Sequence, residues 1–397
     1  MEKKSNLIFY SFALITAMIG FDWFMWGPII HSVVEPRYNA PVFLLTIFIS
    51  AIPLMLVIFS YFSGNLADRD PKRTTIIAAL LLGITSLAKP FVLFNFDALL
   101  IVHLIFALSA VYCFTSWSPL TYRLFEKDFA AQRIALFTAA LTTGEFLGYL
   151  LTFGAVQKIG LFSTLLFYGI VSAIVSAFYI YVISKNSFAY SVQPRPRPSI
   201  VKGFKLILKE KAMAYLFVIA FLDIGVFAWI ATWYPKLFTS FKGIGPEQAS
   251  LVTSMKLIGC LIGALTVPVL SHKLKQVKIF FIILPIISAL MFFLVPFVNN
   301  YYVLLLDSLV LGLTLFPVYP IGVHLPSAYT KIGIEYAGIG SGIILIFANL
   351  GGFLLPQLGV LTHSLWSSLV VFGIVPMLLI SVTAIFFTDP DTYRERE

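Results

Sequence analysis

Charge is scarce in this sequence: 11% of its 397 residues are Asp, Glu, Lys or Arg, against 59% that are apolar. A soluble domain of this size cannot cover its surface with so few charges, so the chain needs lipid as its solvent. Cysteine is scarcer still. Cys113 and Cys260 both fall in apolar runs and lack metal-ligand spacing, which excludes a disulfide framework and leaves two small packed side chains. There is no glycine loop to cradle phosphate, no metal-ligating cluster and no nucleophile beside a base at recognisable spacing. Enzymatic and ATP-driven chemistry therefore have no basis, and neither cofactor nor metal is expected. The first apolar run follows Glu2, Lys3 and Lys4 without a small-residue cleavage site, so it reads as a retained helix.

What the chain has instead is twelve apolar runs, over 7–33, 41–63, 74–94, 98–122, 134–157, 161–184, 212–237, 248–270, 279–298, 301–325, 337–360 and 364–387. All reach the roughly 20 residues that a helix needs to cross about 30 Å of hydrocarbon. They are continuous and do not alternate, which excludes barrel strands and predicts an all-α membrane protein with twelve transmembrane helices.

The two halves superpose in sequence at an offset of 207. Trp26 and Pro28 fall on Trp233 and Pro235, Pro119 and Tyr122 on Pro326 and Tyr329, and Gly144, Phe146 and Leu147 on Gly351, Phe353 and Leu354. Gly169-Ile170-Val171 falls on Gly373-Ile374-Val375 after a slip to 204. A duplication predicts two six-helix bundles, 1–185 and 212–397, joined by a cytoplasmic linker, 186–211. The alternate prolines of Gln193–Ser199 deny that linker helical bonding. After it, Ile200, Val201, Phe204, Ile207 and Leu208 lie to one side of a helix and Lys202, Lys205 and Lys209 to another, as in an interfacial helix or an extension of span seven.

Counted from an inside start, 21 of the 27 Lys and Arg fall in inner segments and five, Arg37, Lys89, Lys158, Lys236 and Lys242, at outer ends; Lys256 lies inside a span. This asymmetry predicts a multi-pass protein with both termini cytoplasmic. It also explains the net charge of +9 without nucleic acid, because scattered inner-loop bases form no groove.

Between spans two and three stands Gly64-Asn65-Leu66-Ala67-Asp68-Arg69-Asp70-Pro71-Lys72-Arg73. It resembles the GxLaDRxGRR signature of the major facilitator superfamily, in the place where that family carries it, with Pro71 where the family has Gly. The resemblance implies two bundles related by a pseudo-twofold axis. It also implies a latch in which Asp68 faces a helix end of the other half, with Gly64, Arg69, Arg73 and, further on, Arg133 as gating residues. The second half has Ser271-His272-Lys273-Leu274-Lys275 there, so the latch is expected to be asymmetric. Pro119, Glu126, Arg133, Gly144 and Gly148, with Pro326, Glu335, Gly338, Gly340, Gly342, Gly351, Gly352 and Pro356, resemble the paired pattern of sugar and metabolite porters; small residues at such spacing point to helix packing. The drug-antiporter motif of span five, which carries a proline, is missing.

An ionisable group near the bilayer centre costs roughly 2.5 to 3.5 kcal/mol, so each should face a cavity or a partner. Asp22, Glu145, Asp223, Lys256, Asp307 and His103 are the candidates. The resemblance implies that helices one, four, seven and ten line a central cavity, flanked by five and eight. Asp22, in Gly20-Phe21-Asp22-Trp23-Phe24, is similar to the first-span carboxylate of proton-linked symporters and is expected to carry the proton, with Glu145 and Asp223 as alternatives. A buried Asp–Lys pair that only holds helices together is the competing reading. Lys256, read as the one cation well inside a span, is expected to attract an anion. Trp23 and Trp229 are candidate cavity walls, Trp26 and Trp233 are read as interfacial anchors, and Asp307 and His103 are placed nearer the outer surface. The expectation is a secondary transporter of the plasma membrane, acting as a monomer with protons and a small-molecule substrate as partners. Proton-linked symport of a small organic anion is the first reading, and proton-linked antiport of cationic or drug-like solutes the second.

Overall fold

In a computed structural model of the chain, residues 2–186, 188 and 199–390 are described. The Pro-Arg repeat 193–198, Arg394 and Arg396 lie outside them, as do the side chains of Ile200, His272 and Glu335. The described residues hold twelve helices long and apolar enough to cross a membrane. They are α1 (Lys3–Phe24), α2 (Ala51–Arg69), α3 (Pro71–Val92), α4 (Phe96–Leu124), α5 (Arg133–Ile159), α6 (Leu161–Lys185), α7 (Lys211–Lys242), α8 (Pro246–Ser271), α9 (Lys278–Phe297), α10 (Tyr301–Val323), α11 (Tyr336–Leu361) and α12 (Leu365–Phe386). The chain divides into two compact units, Met1–Pro194 and Arg195–Glu397, with the division inside the stretch read as a linker.

Several ends differ from the expected spans, and proline accounts for the differences. α1 stops at Phe24 rather than continuing to residue 33. Pro28 has no N–H for the Phe24 carbonyl, which accepts from Gly27 at 3.2 Å instead. The expected span 41–63 is broken at Ser50 into Val42–Ile49 and Ala51–Arg69, because Pro53 cannot bond the Ile49 carbonyl. In α10 the break at Phe316 precedes Pro317, and in α12 a π turn over Val370–Ile374 precedes Pro376.

Each unit is held by the same three close helix pairings. In the first they are α1 with α5, α2 with α4 and α3 with α6; in the second they are α7 with α11, α8 with α10 and α9 with α12. This internal correspondence is what the duplicated sequence predicts. Glycine makes the approaches close. A Cβ on Gly144 would strike the Ala17 carbonyl, one on Gly351 the Phe221 carbonyl, and Gly259 and Gly312 press on the backbones of Leu309 and Lys256. Gly338 and Gly342 do not share this role, since a Cβ on either would meet open space. The outer faces carry exposed Phe62, Ile84, Ile174 and Phe386, which lipid and not water can cover.

Gly144→Val is expected to lower the stability of the detergent-solubilised protein by about 1–3 kcal/mol or more through overpacking. Gly154→Ala, in open space on the same helix, is expected to be neutral or stabilising by up to about 1 kcal/mol. Thermal unfolding followed by size-exclusion chromatography measures both, and equal losses would refute the packing role of Gly144.

Candidate functional site

In the first unit, three helices bring Asp22, Lys89, Ser86 and His103 together. Asp22 lies on α1 with 1% exposure, its Oδ1 3.2 Å from Lys89 Nζ. The Ser86 hydroxyl, one turn before Lys89 on α3, donates to Oδ2. Lys89 is fully buried where α3 tightens into a 3₁₀ turn over Lys89–Val92 that holds Pro90 in its first turn. Its ammonium makes no well-angled hydrogen bond, yet it stands 3.8 Å over the Phe106 ring and 5.9 Å from that of Trp26. His103, on α4, stacks on Phe48 at 4.1 Å and on Phe106 at 5.2 Å, with the Trp26 ring edge-on at 5.9 Å. The Phe48 backbone faces the ring, but neither ring nitrogen has a hydrogen bond of normal geometry among the described residues. The result is an ionic and imidazole centre boxed by aromatic rings.

Two expectations change here. Lys89, counted at an outer end, is embedded and ion-paired, so Lys256 does not stand as the one embedded cation. His103, placed near the outer surface, has no exposure at all. α3 reaches Val92, far enough to hold Lys89 at the level of Asp22. A Lys inside the apolar run 74–94 was the available signal.

The tryptophans are also deeper than expected. Trp26 and Trp233, read as interfacial anchors, are buried. Trp233 Nε1 donates to the Pro356 carbonyl at 2.9 Å, while Trp26 packs edge-on against Phe48 at 4.8 Å. Trp23, half-buried, donates to the Ile49 carbonyl at 2.9 Å. That is the carbonyl left open by Pro53, so the indole completes a helix bond that proline removes. Trp229 stacks on Phe372 at 5.5 Å and, with Trp233, Lys236 and Ser240, lines a cavity of about 140 Å³. Glu145 is buried on α5, and its backbone faces Gly20 at the crossing with α1.

In the second unit Lys256 is buried on α8. It donates to the Phe227 carbonyl at 3.2 Å and stands 3.9 Å over the Phe227 ring. Asp223 lies one turn earlier on α7, buried beside Tyr319. The Tyr319 backbone faces it, but neither carboxylate oxygen has a hydrogen bond of normal geometry among the described residues. Asp307, expected at a wet entrance, is 6% exposed and close enough to Tyr234 for its charge to act on the phenol.

The loop between α2 and α3 explains Pro71. Asp70 is the N-cap of α3, its Oδ1 accepting from the Arg73 N–H at 2.9 Å, and Pro71 takes the first helical position. There the missing N–H is harmless and the fixed φ suits the helix. Asp68, Arg69 and Arg73 are exposed, and a Cβ at Gly64 would meet open space. Arg133 Nη1 donates to Asn6 Oδ1 at 3.0 Å, with the guanidinium 4.4 Å over Phe125.

The family model described as Major Facilitator Superfamily matches residues 12–356. The chain belongs to the major facilitator superfamily. It is a secondary transporter and a multi-pass membrane protein, not an enzyme. An uncharacterized protein of Archaeoglobus fulgidus is 26% identical over 191 residues, 48% of this chain and 84% of that one. A solved structure, a bacterial homolog of the human lysosomal transporter Spinster in an inward-facing, unoccupied conformation, is similar with a TM-score of 0.71. It has 12% identity, with 99% of this chain and 97% of that chain covered, a likeness of fold. Within this superfamily fold the first unit holds a buried Asp22–Lys89 contact enclosed by aromatic rings.

Removing one member of a buried ion pair leaves the other uncompensated, at a cost of about 3–5 kcal/mol, whereas removing both is close to neutral. Asp22→Asn and Lys89→Met are therefore each expected to destabilise strongly, and the double variant to recover most of the loss. A double-mutant cycle on the unfolding free energy in detergent measures the coupling, and additive losses would refute it.

Proposed function

We propose that this transporter couples the entry of a small organic anion to protons by alternating access, with Asp22 as the proton carrier. The buried contact between Asp22 and Lys89 carries this reading. Proton uptake on Asp22 removes the negative half of the pair and leaves an ammonium in an apolar box, which a substrate carboxylate neutralises. The net charge of the centre is then the same loaded and empty, so proton and anion favour each other's presence. That thermodynamic coupling is what symport requires.

Lys256 attracts the anion in the second unit, with Asp223 adjusting the field there and Glu145 adjusting it in the first. Trp23 and Trp229 shape the substrate's path, and Asp307 and His103 contribute polar groups along it. Gly64, Asp68, Arg69, Arg73 and Arg133 form the gate. The protein functions as a monomer in the plasma membrane with both termini in the cytoplasm. A second reading, export of cations against protons, is favoured by four buried carboxylates, Asp22, Glu145, Asp223 and Asp307, against two buried lysines among the described residues.

Proteoliposomes carrying a trapped pH dye separate the readings. Under symport, adding a transported mono- or dicarboxylate outside acidifies the lumen; under antiport, an external cation alkalinises it. Asp22→Asn is expected to abolish uphill accumulation while keeping exchange down a gradient, and unchanged accumulation would remove Asp22 from the mechanism. Lys256→Gln is expected to raise KM at least about tenfold, the effect of losing roughly 1.4 kcal/mol of binding. An unaltered KM would refute the anion role of Lys256.

A further inference from the structure

We infer that the helix Ile200–Lys209 is a docking surface for anionic phospholipid headgroups. At about 100° per residue its side chains fall into three sectors. Gly203 and Ile207 are buried against α11, where a Cβ on Gly203 would meet Ile339 and Tyr336 and one on Gly340 would meet Ile207. Next around the helix come Phe204, Leu208 and Val201, which stay 45%, 55% and 65% exposed. The third sector is Lys205, Lys209 and Lys202, all exposed, with no acidic residue within the helix.

The placement follows from the neighbouring span. Ser199 caps the helix start, its hydroxyl accepting from the Lys202 N–H at 3.3 Å, and at Glu210 the backbone is extended (φ −79°, ψ 111°) before α7 begins at Lys211. The helix therefore leaves α7 at the end of its membrane crossing, at the level of the headgroups. The glycine contact with α11 fixes its rotation, so the apolar sector is presented to acyl chains and the lysines are held beside the phosphates. A helix selected only for solubility would not expose Val201, Phe204 and Leu208 together, and one selected only for burial in lipid would not align three lysines beside them. Anionic lipid is the occupant that satisfies both sectors, each lysine strengthening binding about fivefold.

The test uses the purified full-length chain, delipidated in detergent, and reads the thermal midpoint against added short-chain phosphatidylglycerol or phosphatidylcholine. Phosphatidylglycerol is expected to raise the midpoint at lower concentration than phosphatidylcholine. The preference should vanish near 1 M salt, where the screening length is about 3 Å. The K202Q/K205Q/K209Q variant is expected to need about a hundredfold more phosphatidylglycerol, and K202R/K205R/K209R to match the parent. Equal response of the parent to both lipids, salt-insensitive binding, an unchanged half-saturation in the Gln variant, or the same shift from free glycerol phosphate would each overturn the inference. Should the Gln variant fail to fold, the salt series and the Arg variant still decide it.

Discussion

A carboxylate inside hydrocarbon must bring its cation with it, and the first unit is arranged around that requirement. Asp22 on α1 meets Lys89 on α3, and Ser86 donates the second contact to the same carboxylate. The Ser86 backbone is pressed in turn against Gly169 of α6. The polar contact and the glycine crossing thus share one residue, and a shift of α3 against α6 would separate Asp22 from its donor. Since α5 grips α1 through Gly144 and Gly148, four helices have their register tied to one ion pair. Aromatic rings substitute for water around it: Phe106 and Trp26 present their faces to the ammonium, a cheap solvation compared with an empty apolar wall.

The same accounting governs the backbone. Lipid offers no hydrogen bonds, so each carbonyl that proline leaves open needs another donor. Trp23 supplies one to Ile49. The chain has such breaks before α2, where Ser50 is buried, and within α10, where Pro317 and Val318 are buried. They divide these spans into shorter helical pieces, the discontinuous helices from which secondary transporters build their sites.

The spans, the duplication and the signature were legible because they depend on composition and order, which a chain displays directly. The three matched helix pairings of each unit follow from that duplication. Helix ends were less legible: Pro28, Pro53 and Pro317 are visible in sequence, but whether a proline kinks a helix or stops it depends on what satisfies the freed carbonyl. The candidate centre was half legible. Asp22 stands out as a costly charge in an apolar run, while Lys89 was counted with the outer-end bases although the run 74–94 extends past it. The aromatic box from α1, the segment before α2, and α4 leaves no sequence signal, because Phe48, Phe106 and His103 meet only in three dimensions.

Charge balance gives the strongest argument for the direction of coupling. Counting only Lys256 as embedded, four buried carboxylates outweigh one cation among the described residues, an excess that favours a cationic solute. With Lys89 included the excess falls to two, and Asp22 is already neutralised by its partner, so it has little field left for an external cation. A cation entering the first unit would have to displace Lys89, whose ammonium has no aqueous refuge in the fully buried box. In the proposed symport the proton takes the place of Lys89 on Asp22 and the anion takes the place of Asp22 on Lys89, so neither group of the pair is left with an uncompensated charge. In the exchange we propose, Asp22 and Lys89 each stay neutralised throughout, and this supports inward symport of an acid as the first reading over outward exchange of a base.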